Sequence, residues 1–267
     1  KELDCISLKL YIIEMKIYNE YIDKLNNYSF KNSETRFAAN QLLEMHKEAS
    51  SRENPIIVEL GVDKGQSTRI FLNAISNKIN SRLISIDIKD CKNAVESKNW
   101  EFVQQDSADI NSLLSKKPIL KDGIDILYVD SMHTQSHVLK EVYAYFEYVK
   151  KDGVIYFDDV DSGPYMSGQR KDSVSTEIVN RQIFDLLQAI FRANYSSINF
   201  STIHGSTGLA KFTKHSELGD KLNPPLFIKE RRLKIFWRIL EILKLKKTYH
   251  HNQSNFDSFL IHPKNDK

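Results

Sequence analysis

The chain has 267 residues, enough for one α/β domain with additions, and its 41% hydrophobic and 27% charged residues are those of an ordinary globular protein. A formal net charge of +3 is too slight to point to nucleic acid. Two cysteines, Cys5 and Cys91, lack metal or redox spacing and suggest a reducing, cytoplasmic setting, and no apolar run approaches the roughly 18 residues of a membrane span.

The first stretch, "KELDCISLKLYIIEMK", mixes acids among its apolar residues, unlike a secretory signal. It lacks an initiator Met, which fits a piece of a longer polypeptide. Leu3, Ile6, Leu10, Ile13, Ile17 and Tyr21 recur at three- and four-residue steps and predict a helix. A second helix is expected from about Glu34 to Ser50, where "SSRENP" stops it, so that residues 1–53 form a helical extension.

The rhythm then changes. Short apolar runs, "IIVEL", "LISID", "FVQQD", "IDILYVD" and "GVIYFDD", alternate with amphipathic stretches such as "QSHVLKEVYAYFEYVKK". Strands alternating with helices predict βαβ units and a parallel sheet covered on both faces. Ligands of such sheets bind outside the carboxyl ends of the strands, where this chain places its acids. A Gly- and Ser-rich loop, Ser162–Ser173, follows, long enough to act as a lid. A helix near Thr176–Phe191 comes next, and then "SSINFSTIH" and "GLAKFT", an antiparallel hairpin at the sheet edge. "NPP" marks a boundary. Beyond it, Lys229–Lys247 reads as a basic helix, expected to dock on the core or on a second subunit in preference to an anionic membrane, before an irregular tail.

Three features carry chemistry. The first is "VELGVDKGQST", Val58–Thr68: a strand, a tight turn and a helix start. Its G-x-x-x-G spacing puts Asp63 where a dinucleotide fingerprint has glycine, which argues against NAD. Glu59 suits a cationic ligand, Asp87 at the end of "LISID" is placed for ribose hydroxyls, and Asp106 after the third strand could meet an adenine amino group. Glycines also mark plain turns. The second feature is the pair of strand ends at Asp130 and at Asp158, Asp159 and Asp161. On neighbouring strands about 4.8 Å apart their carboxylates would repel, and a divalent cation with oxygen ligands would relieve them. "DD" alone reads more readily as a solvated turn than as a metal site. The third is His133, three residues after Asp130, either a general base or a surface imidazole capping the next helix.

Together "VELGVDKGQST", "LISIDI" and "FVQQDS" resemble the first three motifs of class I S-adenosylmethionine-dependent methyltransferases, over about Asn54 to Lys214. The resemblance implies a Rossmann-like, seven-stranded, mostly parallel sheet with an antiparallel last strand and helices on both faces. It also implies a cofactor pocket lined by Glu59, Gly61, Gly65, Ser67, Asp87, Asp106, Ser107 and Asp130. "VDSMHT" followed by "DGVIYFDDV" is similar to the metal-dependent branch that includes macrocin O-methyltransferase, mycinamicin-type sugar methyltransferases and cephalosporin hydroxylase-like proteins. That likeness implies Mg²⁺ or Mn²⁺ on Asp130, Asp158 and Asp159, with His133 as base, and an acceptor hydroxyl on a sugar, glycan or glycosylated small molecule. The Asp-Asp pair departs from the usual Glu-Asp, which leaves the third ligand open, with Asp161 as a substitute. A catechol- or phenol-type O-methyltransferase, or a non-catalytic S-adenosylmethionine- or carbohydrate-binding domain, are the alternatives. Residues 54–214 are then the methyltransferase core and 215–267 a C-terminal addition.

Overall fold

The computed structural model describes residues 32–166, 174–236, 239, 243 and 256–261. The expected first helix and the part of the expected lid loop beyond Met166 lie outside the described residues.

Helix α1 (Asn32–Ser51) is followed by β1 (Ile56–Leu60), α2 (Gln66–Ala74), β2 (Arg82–Asp87), β3 (Trp100–Gln104), α3 (Ile110–Lys116), β4 (Ile124–Val129), α4 (Gln135–Tyr145) and β5 (Val149–Asp158). A short α5 (Gly163–Met166) and the long α6 (Val174–Ala193) precede β6 (Ile198–Ile203), β7 (Leu209–Lys214), β8 (Ile228–Leu233) and β9 (Phe256–Ile261). Seven strands form one sheet in the order β3-β2-β1-β4-β5-β7-β6, and β7 runs antiparallel to both β5 and β6. The expected Rossmann-like architecture is the observed one.

Side chains on a strand alternate between faces, and here the alternation sorts the core into two layers. Val58, Leu60, Leu127, Val129, Ile155 and Phe157 pack under α4 and α6. Ile57, Ile126, Tyr128, Val154 and Tyr156 face the other way, onto Met45 and Ala49 of α1 and Phe71 of α2. Both faces are buried, so β1 carries no solvent-facing polar position: all five of its residues are buried, Glu59 included. Alternation also assigns Asp130 to the face of Tyr128, two residues earlier.

Two parts of the C-terminal expectation need correction. Residues 228–233 are not the start of a basic helix but strand β8, paired antiparallel with β9, and β9 falls in the segment expected to be irregular. Long-range contacts override the local pattern. Ile228 is buried, Arg231 lies 3.4 Å from Asp185, and the side chains of Gln135 and Gln182 donate to the carbonyls of Lys229 and Arg231. No helix among the described residues is long and apolar enough to cross a membrane.

Phe212 joins the hairpin to the central sheet through edge-on contacts with Phe157 (5.1 Å) and Phe200 (5.4 Å). Truncating this fully buried ring should cost about 3–5 kcal/mol, measured for Phe212→Ala by denaturant titration.

Candidate functional site

The site lies at the carboxyl ends of β1 to β5. A tight turn leaves β1 at Gly61, whose φ is +96°. A Cβ placed there would stand 2.0 Å from the carbonyl oxygen of Asp130, so only glycine lets the turn pass the end of β4. The Gly61 N–H donates to Ile86 O, and the Asp130 N–H donates to Leu60 O, so the three strand ends are locked together. Gly65, at φ +71°, then starts α2.

Asp87 closes the turn from β2. Its Oδ2 accepts the N–H groups of Val62 (2.9 Å) and Asp63 (3.3 Å), and its Oδ1 accepts that of Lys89 (2.8 Å). Burial pushes this carboxyl up, but the three backbone donors outweigh it and hold it below the usual carboxylate range. Beside the turn opens a cavity of about 510 Å³, within the range of small-molecule pockets. Gly61, Asp87, Asp106, Ser107, Asp130 and His133 line it.

Three expected cofactor residues lie elsewhere. Glu59 is fully buried beneath the turn and accepts the hydroxyls of Ser67 (2.6 Å), Thr68 (2.8 Å) and Ser85 (2.6 Å). Ser67 is thereby occupied, and Gly65 packs against Val95 and Ala94. These residues support the pocket floor; the alternating pattern of β1 turns Glu59 away from the cavity, toward α2. Burial raises Glu59 to about 7, with the three hydroxyls pulling the other way.

A cluster of charges adjoins the cavity. Strands β4 and β5 are parallel neighbours with Val129 opposite Phe157, which sets Asp130 beside Asp158. The Tyr128 hydroxyl lies 3.2 Å from Asp130 Oδ2 and 3.1 Å from Asp158 Oδ2. The one hydroxyl proton is shared between the two carboxylates. Burial and the charge of Asp158 raise Asp130 to about 7, against the pull of His133. Thr207, from the β6–β7 turn, donates to Asp158 Oδ1 at 2.8 Å. Asp159 leaves the extended path at φ +57°.

His133 sits between these acids. Its Nε2 is 2.9 Å from Asp130 Oδ1 and its Nδ1 is 3.1 Å from Asp159 Oδ2. Burial lowers its pKa, but the bond to Asp130 and the charges of Asp159, Asp130 and Asp158 outweigh it and lift His133 to about 9. In this arrangement it is an imidazolium with both N–H groups donating. The helix cap belongs instead to Thr134, whose hydroxyl accepts from the His137 N–H.

Asp161 is engaged elsewhere: its Oδ1 accepts the Gly163 N–H and its Oδ2 that of Gly205, fastening the β6–β7 turn to β5. Among the described residues, no three His, Cys, Asp or Glu side chains form a ready metal-holding group. The chemistry of Asp130, Asp158 and Asp159 still suits a hard divalent cation: these are carboxylate oxygens whose crowding a positive charge relieves, and His133 now supplies that charge.

Tyr128, Ser131, His137, Glu141 and Thr207 were not visible as site residues in the sequence. Tyr128 had a signal, its two-residue offset from Asp130, and so did the i, i+4 pair His137 and Glu141. Thr207 had none, since it arrives through hairpin pairing.

Residues 58–160 match a family model described as a methyltransferase domain. Uncharacterized protein R132 of Acanthamoeba polyphaga mimivirus is 27% identical over 130 residues, which are 44% of this chain and 57% of that protein. A structure titled as a putative caffeoyl-CoA O-methyltransferase from Staphylococcus aureus is 16% identical, with a TM-score of 0.51 over 77% of this chain and 98% of that one. The MycE methyltransferase of mycinamycin biosynthesis, solved with Mg and SAH, is 18% identical, with a TM-score of 0.48 over 64% of this chain and 48% of its own. The chain thus spans little over half the length of the viral relative and about half of the mycinamycin protein. Residues 58–160 are thus similar to a methyltransferase domain, and the sheet order is the Rossmann-like one.

Two outcomes follow. Gly61→Ala should fold poorly or lose ligand binding in the cavity, read by thermal melting and by titration with S-adenosylhomocysteine. For Glu59, a pKa raised from 4.5 to about 7 means the folded state holds the proton more tightly. Its contribution is full below about pH 4.5 and is lost as pH rises through 7, by about 3 kcal/mol. The stability of Glu59→Gln relative to the wild type should therefore rise between pH 5 and pH 8; a constant difference would contradict this assignment.

Proposed function

We propose that the chain is an S-adenosylmethionine-dependent O-methyltransferase acting on a hydroxyl of a sugar or glycosylated small molecule. The observation that carries the reading is the continuity of two parts: a cavity walled by Gly61, Asp87 and Asp106 opens onto Asp130 and His133. The first part suits an adenosyl group, with Asp87 toward the ribose and Asp106 toward the base. The second suits deprotonation of an alcohol. The sugar acceptor rests on the likeness of "VDSMHT" and "DGVIYFDDV" to the sugar-modifying branch.

Asp130, Asp158 and Asp159 are the residues that would hold Mg²⁺ or Mn²⁺, which lowers the pKa of a bound hydroxyl. His133 then has a defined task. Were those carboxylates to hold a cation, the His133 ring would lose its anionic partners and shed one proton to solvent, and the neutral ring nitrogen would then be able to take the acceptor's proton. The oxygen attacks the sulfonium methyl group in line, the new O–C bond forms as the S–CH₃ bond breaks, and S-adenosylhomocysteine leaves. The turn at Gly61 and the Asp87 carboxylate hold the donor still, and positioning supplies much of the acceleration because the methyl group is already activated.

Methyl transfer to a panel of glycosides and glycosylated phenols tests this. Activity should vanish with EDTA and return with Mg²⁺. His133→Ala should lower kcat by roughly 10²–10⁴-fold, and Asp130→Asn should weaken Mn²⁺ binding. Full activity of His133→Ala in EDTA would sink the metal-and-base mechanism. Binding of S-adenosylmethionine without transfer to any acceptor would favour a non-catalytic domain.

A further inference from the structure

The cavity has a weakness in its topology. Its walls come from the ends of β1, β2, β3 and β4, yet β3 and β4 are separated by two strands and share no ladder. Ser107, after β3, and Ser131, after β4, stand on these two rims, and both line the cavity. Each donates its hydroxyl to the same atom, Glu141 Oε1, at 2.6 Å and 2.5 Å.

Glu141 is fully buried, and its Oε2 has no hydrogen-bond partner among the described residues. A carboxylate buried in this way is costly, so packing alone does not account for it; an apolar side chain would fill the space without that penalty. Its neighbours one turn away on α4 act on the same rim. His137 Nε2 is 3.1 Å from Ser107 Oγ and 3.2 Å from Glu141 Oε1, and the Tyr145 hydroxyl donates to Ser107 O at 2.8 Å. His137, Glu141 and Tyr145, spaced i, i+4 and i+8, form one polar stripe along a helix face. The Glu141 hydrogen bond raises the pKa of His137 against its partial burial, which keeps a donor facing the carboxylate.

We propose that Glu141 is a positioning residue that ties the two rims of the cavity together and so sets its affinity for the adenosyl cofactor. The inference rests on the S-adenosylmethionine reading of the cavity. Because Ser131 follows Asp130 directly, the same tie holds the adenosyl end of the cavity in register with the Asp130–His133 end.

The test is calorimetric titration with S-adenosylhomocysteine, alongside thermal melting to verify the fold. Glu141→Ala should weaken binding by roughly tenfold or more. Glu141→Gln, whose amide oxygen still accepts both hydroxyls, should recover most of that loss. Ser107→Ala and Ser131→Ala should each weaken binding, and the double variant should be no weaker than the worse single one, because breaking either link already breaks the tie. The serine pair leaves Glu141 in place and so decides the matter even where Glu141→Ala fails to fold. Losses that multiply in the double variant, or full affinity in a folded Glu141→Ala protein, would overturn the tie alone. A wild-type protein with no affinity for S-adenosylhomocysteine would overturn both the tie and the methyltransferase reading.

Discussion

Repulsion between Asp130 and Asp158 is the constraint around which the site is built. Parallel pairing of β4 and β5 places their carboxyls side by side at the sheet's end, where the Tyr128 hydroxyl lies 3.2 Å from one and 3.1 Å from the other. Like charges held that close cannot both ionise freely. Each surrounding group answers that problem: Tyr128 supplies a hydroxyl to both acids, Thr207 supplies one to Asp158, and His133 brings a positive charge between Asp130 and Asp159. An imidazolium held in this way is the wrong species for a base.

The Gly61–Asp87 end of the cavity works by other means. Asp63, Asp87, Lys89 and Asp106 line it, and backbone geometry sets its shape. Gly61 permits the close pass beneath Asp130, and the carboxylate of Asp87 is spent largely on the N–H groups of the turn. A buried acid, Glu59, supports the turn from below through Ser67, Thr68 and Ser85.

Much of this was legible in the sequence because parallel strands announce themselves as short apolar runs, and because their polar ends mark the ligand side. Asp87, Asp106, Asp130 and Asp158 could be ordered that way without knowing any contact. What local pattern did not place shares a cause. Glu59 belongs to a cofactor-type motif, yet two-residue alternation in a strand buried on both faces turns it away from the cavity. Lys229–Leu233 reads as helix by composition, but its backbone is claimed by β9 and by side chains of α4 and α6, which lie far away in sequence. Thr207 reaches Asp158 through a hairpin register that no local pattern encodes.

Helix α4 shows how one element can serve both halves. Its first residues follow the loop that carries Asp130 and His133, and Thr134 caps it there. One face of the same helix holds Val138 and Val142 against the sheet, while His137, Glu141 and Tyr145 grip Ser107. A helix pinned by its apolar face cannot shift one rim of the cavity without shifting the other. A parallel sheet fixes only neighbouring strand ends relative to each other, so a cavity spanning four strands needs such a cross-tie, and a buried carboxylate with two hydroxyl donors is short enough and directional enough to provide it.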